Sequence, residues 1–450
     1  MKIAEKQMQK YTRYKNSGVE WLGEIPEHWE VKKLKFVGNI YAGINGKKGD
    51  DFSKEYSLGM KSFIPFTNIC NNLKIDESQY QYVKIDEKEN QNRVKHNDIL
   101  FLMSSETLDD IAKCSIYLGI DKELYLNSFC KGFRITNCDI NAEYINYLLT
   151  SKIYRNYFAL VGRGFTRINL KQEFINDASV TLPPLQEQTA IAQFLDDKTT
   201  KIDQAIAIKE QQISLLKERK QILIHKAVTR GIRPLSEAEM KDSGVEWIGE
   251  IPEHWEVKKL KYATRIFRGK FTHRPRNDER MYDGKYPFFQ TGDVARAGKY
   301  LSVYRQTLNE KGLRVSTLFP KGTVVITIAA NIGDISILDI NACFPDSIVG
   351  FEPNNFIAKY FLYNSLLVMK EQFMSSTIKN TQMNLNVDRI GSNSIAVPPL
   401  KEQIGISEYI ETASQKIETA INLKQQEIEK LKEYKSSLIN SVVTGKVKVC

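Results

Sequence analysis

Nowhere do the 450 residues hold an apolar run approaching the ~18 that a membrane helix needs, which excludes a protein built on transmembrane helices. The opening segment, MKIAEKQMQKYTRYK, is polar and basic and lacks the apolar stretch of a secretory signal. Six cysteines (Cys70, Cys114, Cys130, Cys138, Cys343, Cys450) fall at no CxxC or CxxH spacing, which argues against a zinc site or a disulfide framework. These absences predict a reduced, cytoplasmic setting with no membrane partner. Catalytic signatures are missing too. There is no G-x-x-x-x-G-K-[ST] phosphate loop, so nucleotide hydrolysis is not expected. No G-x-G-x-x-G follows a strand, and the nearest segment, VGRGFTR (161–167), lacks the third glycine and reads as a basic loop. Pro-Pro occurs as LPPL and VPPL, never as the Asn/Asp-Pro-Pro-aromatic run of an amino-group methyltransferase, and no carboxylate cluster suggests a nuclease. The chain reads as a non-enzyme with no metal of its own.

What is present is a soluble composition, 42% apolar and 26% charged, and a length suited to roughly two to four domains. Its organising feature is an internal repeat. Residues 15–35, KNSGVEWLGEIPEHWEVKKLK, recur at 241–261 with changes only at Asn16/Asp242 and Leu22/Ile248, and all four tryptophans lie in these copies. A second pair, LPPLQEQTAIAQFLD (182–196) and VPPLKEQIGISEYIE (397–411), stands at an offset of 215. His28 and His254 sit beside Glu27 and Glu253 in IPEHWE, but a tight turn after Ile-Pro with tryptophan as a core anchor outweighs acid–base catalysis. Between the motifs, 36–181 and 262–396 share a plan with little identity. Pro-Phe precedes a polar turn (IPFTNIC, YPFFQTGDV), β-type runs follow (NDILFLM and GTVVITI; SFCKGF and SIVGFE), and a helical segment closes each. Each stretch is expected to be an α+β domain.

From Pro184 the period changes. Leu195, Ile202, Ile206, Ile213, Leu216, Leu223 and Ala227 step by threes and fours once Thr199, Lys209 and Lys220 are included. Ile410, Ile417, Ile421, Ile428, Leu431, Leu438 and Val442 repeat this seam, with Lys424 and Lys435 in the lysine positions. Such heptads predict coiled-coil helices, which in one chain would most simply pair with each other. The seam lysines either fix register or mark a fraying edge. Gly231 and Gly445 suit the helix ends.

The net charge of +10 hints at a polyanionic partner, and its distribution sharpens the hint. Residues 258–321 hold 16 Lys/Arg against five Asp/Glu. Arg268, Lys270, Arg274 and Arg276 interleave there with aromatics, as phosphate and guanine contacts require. Gln290 and Thr291 follow in the polar turn. In the first half the candidates are Lys47, Lys48, Thr67, Asn68, Arg93, Arg163, Arg167 and Lys171. The loop STIKNTQMNLN offers Lys379, Asn380 and Gln382, and Asn and Gln can pair both edges of adenine.

These motifs resemble the specificity subunit of type I restriction–modification systems: SGVEWLGEIPEHWEVKKL twice, Pro-Phe…Thr-Gly-Asp-Val, and [LV]PPL[QK]EQ before each long helix. The resemblance covers nearly the whole chain. It implies two target-recognition domains, each reading half of a bipartite, asymmetric DNA site, spaced by an antiparallel helix pair with a pseudo-twofold internal repeat. It implies double-stranded DNA, two methylation subunits and two restriction subunits as partners, with S-adenosylmethionine, ATP and magnesium held by those subunits and none by this chain. The expected domains are 1–181 and 241–396 for recognition, 182–230 and 397–450 for the helices, and 231–240 as linker. IPFTNIC lacks the Thr-Gly-Asp run, so the first DNA-facing loop is expected to differ. The alternatives are a stand-alone sequence-specific DNA binder, a coiled-coil interaction scaffold, or a hidden nuclease.

Overall fold

The structure, a computed structural model, describes residues 9–86, 88–164, 167–232, 239–329, 332–375 and 386–449. The chain forms two compact units, 1–209 with 425–450, and 210–424.

In the first unit, the all-buried run Ile99–Leu102 is a central strand of an antiparallel sheet. Cys114–Ile116 lies on one side of it, and Cys130–Ile135 followed by Gly38–Ala42 on the other. A four-residue apolar run without alternation is what a strand covered on both faces requires. A second sheet joins Leu124–Leu126, Met60–Ile64, Gln81–Lys84 and Phe52–Ser53. The helices Ala142–Thr150 and Lys152–Val161 pack into the same core as the first sheet, with Tyr144, Tyr147, Tyr154 and Phe158 buried.

The second unit repeats the plan. Val324–Thr327, again all buried, sits inside a five-stranded sheet ordered Thr264–Arg268, Ile348–Pro353, Val324–Thr327, Ile335–Leu338 and Tyr300–Leu301. The helix Lys359–Val368 packs on it. One packing detail recurs in both sheets. Gly132 faces Tyr41 across its strand pair, and Gly350 faces Phe267 across the other. A Cβ at either glycine would lie 2.0 and 2.1 Å from those rings, so only glycine lets the aromatic side chain lie over the backbone.

The two repeated motifs meet in each unit. Glu30–Lys33 pairs antiparallel with Ser179–Leu182, and Glu256–Lys259 with Ser394–Val397. Each pair leads through Pro-Pro into a long helix, Leu185–Arg230 and Leu400–Val443. Their 46 and 44 residues correspond to ~69 and ~66 Å at ~1.5 Å per residue. Both end before glycines at positive φ, Gly231 (+79°) and Gly445 (+73°), as αL termination requires.

Every predicted seam residue is buried or half-buried. The helices run antiparallel: in the first unit Lys435 reaches Asp203 (2.7 Å) while Lys209 reaches Glu427 (2.5 Å). In the second, Lys220 reaches Glu418 (2.8 Å). The pairs Asp203–Lys435 and Glu418–Lys220 exchange into one another at the 215-residue offset. The seam lysines Lys209, Lys220 and Lys435 therefore span to carboxylates on the facing helix rather than fray. Such half-exposed pairs contribute only ~0–1 kcal/mol each, but they favour one register.

Candidate nucleic-acid interface

The reading surface depends first on how each lobe is fixed to its helices. Trp29 and Trp255 are fully buried, and each indole N–H donates to the glutamate of the PPL[QK]EQ motif, Trp29 to Glu187 (3.2 Å) and Trp255 to Glu402 (3.1 Å). His28 and His254 contact the same carboxylates, each at 2.8 Å. The histidine of IPEHWE thus partners a glutamate from the other motif, and the pair is a joint. The following glutamines complete it. Gln188 accepts from the Asn141 N–H and donates to the carbonyls of Asp139 and Pro183; Gln403 accepts from Ala358 and donates to Phe356 and Pro398. Both are buried side chains whose amides use donor and acceptor alike.

A second joint was invisible in the sequence. Lys74 bridges Asp196 (2.5 Å) and Glu143 (3.1 Å) in the first unit. In the second, Lys299 pairs with Glu411 and lies over the rings of Tyr300 and Tyr360. Asp196 and Glu411 are equivalent, the last residues of the second repeated motif. The lysines are one place out of register, since Lys74 bridges to Ile116 but Tyr300 to the matching Ile337. Sequence comparison of the variable stretches could not have aligned them.

In the second unit the predicted basic loop is ordered by two aspartates. Arg276 contacts Asp346 (2.6 Å), Arg274 lies 4.0 Å from it, and the Arg268 Nε donates to its main-chain carbonyl (2.5 Å). Asp278 accepts from Arg280 (2.7 Å) and from His273 (2.7 Å), and these bonds, Arg280 foremost, hold its carboxyl well below the usual range. Neither aspartate was singled out from the sequence; Asp346 lies seventy residues from Arg276. Lys270 is exposed. Gln290 and Thr291 do not form a turn. They open a short helix, Thr291–Arg296, with Gln290 and Asp293 in a reciprocal capping box. Lys379, Asn380 and Gln382 lie outside the described residues.

The first-unit candidates are more scattered. Arg163 caps its helix by donating to the carbonyls of Leu160 and Gly162, Arg167 lies over Phe129, and Lys171 is exposed beside them. Lys48 and Thr67 are exposed. Lys47 pairs with Glu89, and Arg93 with Glu123 (3.2 Å). Asn68 is a correction. It is fully buried, accepts from the Asp76 N–H and donates to the Asp76 carbonyl, so it cannot reach a base. The cause is that Phe66–Asn71 is a helix. Asn68 is its third residue, the place Asp293 holds in the other unit, so the absent Thr-Gly-Asp run is answered by a different buried polar side chain.

Among the described residues no cluster of three or more His, Cys, Asp or Glu could hold a metal, and no helix is long and apolar enough to cross a membrane. The profile of the type I restriction modification DNA specificity domain matches residues 26–218 and 252–432. The type I restriction enzyme MjaVIII specificity subunit of Methanocaldococcus jannaschii is 26% identical over 437 residues, covering 94% of each chain. Among solved structures, a chain from work on complex assembly and conformational transition of the type I R-M system superposes with a TM-score of 0.72 at 15% identity. It covers 93% of this chain and 98% of its own. The HsdS subunit of Thermoanaerobacter tengcongensis gives 0.53 at 15% identity, covering 94% and 98%. With two profile matches spanning most of its length and both repeated joints in place, the chain belongs to the type I restriction–modification DNA specificity family and is a specificity subunit, a DNA-recognition component rather than a catalytic one.

Proposed function

We propose that the chain reads a bipartite, asymmetric site in double-stranded DNA, one lobe per half-site, with the two long helices setting the gap. Two methylation subunits and two restriction subunits assemble on it in the cytoplasm. They hold S-adenosylmethionine, ATP and magnesium and supply adenine-N6 methylation and ATP-dependent cleavage. The observation that carries this reading is duplication with divergence: the joints are the same in both units while the exposed basic residues differ. In the second unit Arg268, Lys270, Arg274 and Arg276 contact DNA, with Gln290 and Thr291 beside the helix start. In the first, Arg163, Arg167 and Lys171 do so, with Lys48 and Thr67. Two lobes on one chain raise affinity through effective concentration, so neither needs a tight site alone.

The experiment is an exchange of residues 36–181 for the corresponding lobe of another specificity subunit, co-expression with methylation subunits, and mapping of methylated adenine. One half-site changes and the other stays. A change in both halves, or methylation indifferent to the exchange, refutes the proposal. A stand-alone binder would instead show full specificity with no methylation subunit present.

A further inference from the structure

Two arginines of the second unit's basic loop do not project freely; Arg274 and Arg276 are gathered at one carboxylate, that of Asp346. Arg276 Nη2 lies 2.6 Å from Asp346 Oδ1 and Arg274 Nη2 4.0 Å from Oδ2, while Arg268 donates to the Asp346 carbonyl. The backbone enforces this. Gly269 and Lys270 donate to the carbonyls of Ile348 and Phe344, and a Cβ on Gly269 would lie 2.2 Å from the Pro345 carbonyl. The segment 268–276 is thus pressed along 344–348. Arg274 is fixed further by bonds from Nη1 to the carbonyls of Phe271 and His273, each 2.8 Å, and Arg276 by the Tyr282 hydroxyl on its carbonyl. Arg274 and Arg276 remain 54% and 48% exposed, so both side chains stay accessible to a ligand.

A half-exposed ion pair contributes little to folding, too little to explain so constrained an arrangement by stability alone. Two other effects are larger here. A carboxylate holding guanidinium forks in place removes part of the ordering cost of binding, since a long side chain already held loses less rotamer freedom on contact. Its negative charge also repels any phosphate that approaches the arginines without the geometry to satisfy them.

We infer that Asp346 is a positioning residue that presents Arg274 and Arg276 to the phosphate backbone of the second unit's half-site and suppresses binding to unrelated sequence. This rests on the proposed reading of that loop as a DNA surface. With Asp346 present, the arginines carry their counter-ion within the protein; without it, they release one from DNA on binding.

The test uses the full chain assembled with its methylation subunits and three duplexes: the cognate site, and sites with the first or the second half scrambled. Asp346→Asn is expected to raise affinity for the duplex scrambled in the second half by ~3–10-fold, with first-half discrimination unchanged. The plot of log affinity against log salt should steepen by about 0.9, the share of one further phosphate contact. Asp346→Glu restores both. A variant with unaltered salt slope and discrimination, or one that changes both halves equally, overturns the inference. Arg274→Ala with Arg276→Ala separates the two ideas. If the double variant leaves DNA affinity intact, the loop is not a DNA surface. If it weakens binding while Asp346→Asn is silent, only the role of Asp346 falls.

Discussion

Replacing Glu187 by alanine removes the one acceptor for a buried indole. Glu187 is 13% exposed and accepts from Trp29, from the Tyr11 hydroxyl and from His28. His28, half-exposed, regains water and loses little. Trp29 cannot, and an unsatisfied buried donor costs ~1–3 kcal/mol. The Tyr11 bond to an ionised partner adds ~1.5–3 kcal/mol. A loss of ~2.5–6 kcal/mol follows, or ~5–24 °C in Tm at ~2–4 °C per kcal/mol for a unit of this size. Glu402, 28% exposed, serves only Trp255 and His254 among the bonds described. Glu402→Ala should therefore cost ~2 kcal/mol and ~4–8 °C. Scanning calorimetry gives the two Tm values, and hydrogen exchange by peptide mass spectrometry shows whether protection is lost around Trp29 or Trp255. Equal Tm for wild type and Glu187→Ala, or the reverse ordering, would refute this account of the joint. Glu187→Gln that folds at the wild-type Tm yet abolishes methylation by the complex would turn the joint into a chemical site.

Deleting one heptad from both long helices shortens each by ~10.5 Å at ~1.5 Å per residue, about three base pairs at ~3.4 Å. Methylome mapping should show the gap change with half-sites intact; an unchanged gap refutes the spacing role. The Lys299 joint should weaken in acid. Its hydrogen bond holds Glu411 below the ordinary glutamate value, so that stabilisation is present above ~4.5 and is lost as pH falls through the depressed value. The Lys74 joint behaves oppositely. Burial pulls the lysine down, but bonds to Asp196 and Glu143 outweigh it and raise it above ~10.5, so its contribution persists to that pH and disappears above. Thermal melts of Lys299→Met against wild type should differ by at most ~1 kcal/mol, constant from about pH 6 to 9 and shrinking towards pH 3. A difference that grows in acid is the contrary result.

The sequence exposed the joints because both copies keep nearly the same letters, and the helices because a heptad seam is a local pattern. Trp29, Trp255, the seam from Leu195 to Leu438 and the terminal glycines all stand where periodicity and repetition put them. Asn68 was misread because a polar residue after Pro-Phe looks the same in a turn as in a helix, and only the helix buries it. The basic loop was legible as a cluster, but Asp346, which orders it, comes from a distant strand connection. Lys74 and Lys299 escaped because a one-place shift on a β-edge is absorbed by a long flexible side chain. Contacts carried by lysine can persist where alignment fails.

Identity between the halves is concentrated where each lobe is fastened and is nearly absent where each would read. Selection for folding alone does not give that pattern, since the two sheets are built from different residues at most positions and both are well packed. On the proposed reading, fastening places two lobes equivalently toward equivalent partners, whereas an asymmetric site calls for two different faces. Substituting residues 36–181 for residues 262–396, so that both joints carry the same lobe, should yield a chain that directs methylation to the first lobe's half-site twice and to no second sequence. Each joint meets the same glutamate, glutamine and helix carboxylate, so the transplanted lobe finds Glu402, Gln403 and Glu411 where it left Glu187, Gln188 and Asp196. Mapped methylation that still requires the original second half-site would mean that sequence is read outside 262–396, and the division between fastening and reading would fail.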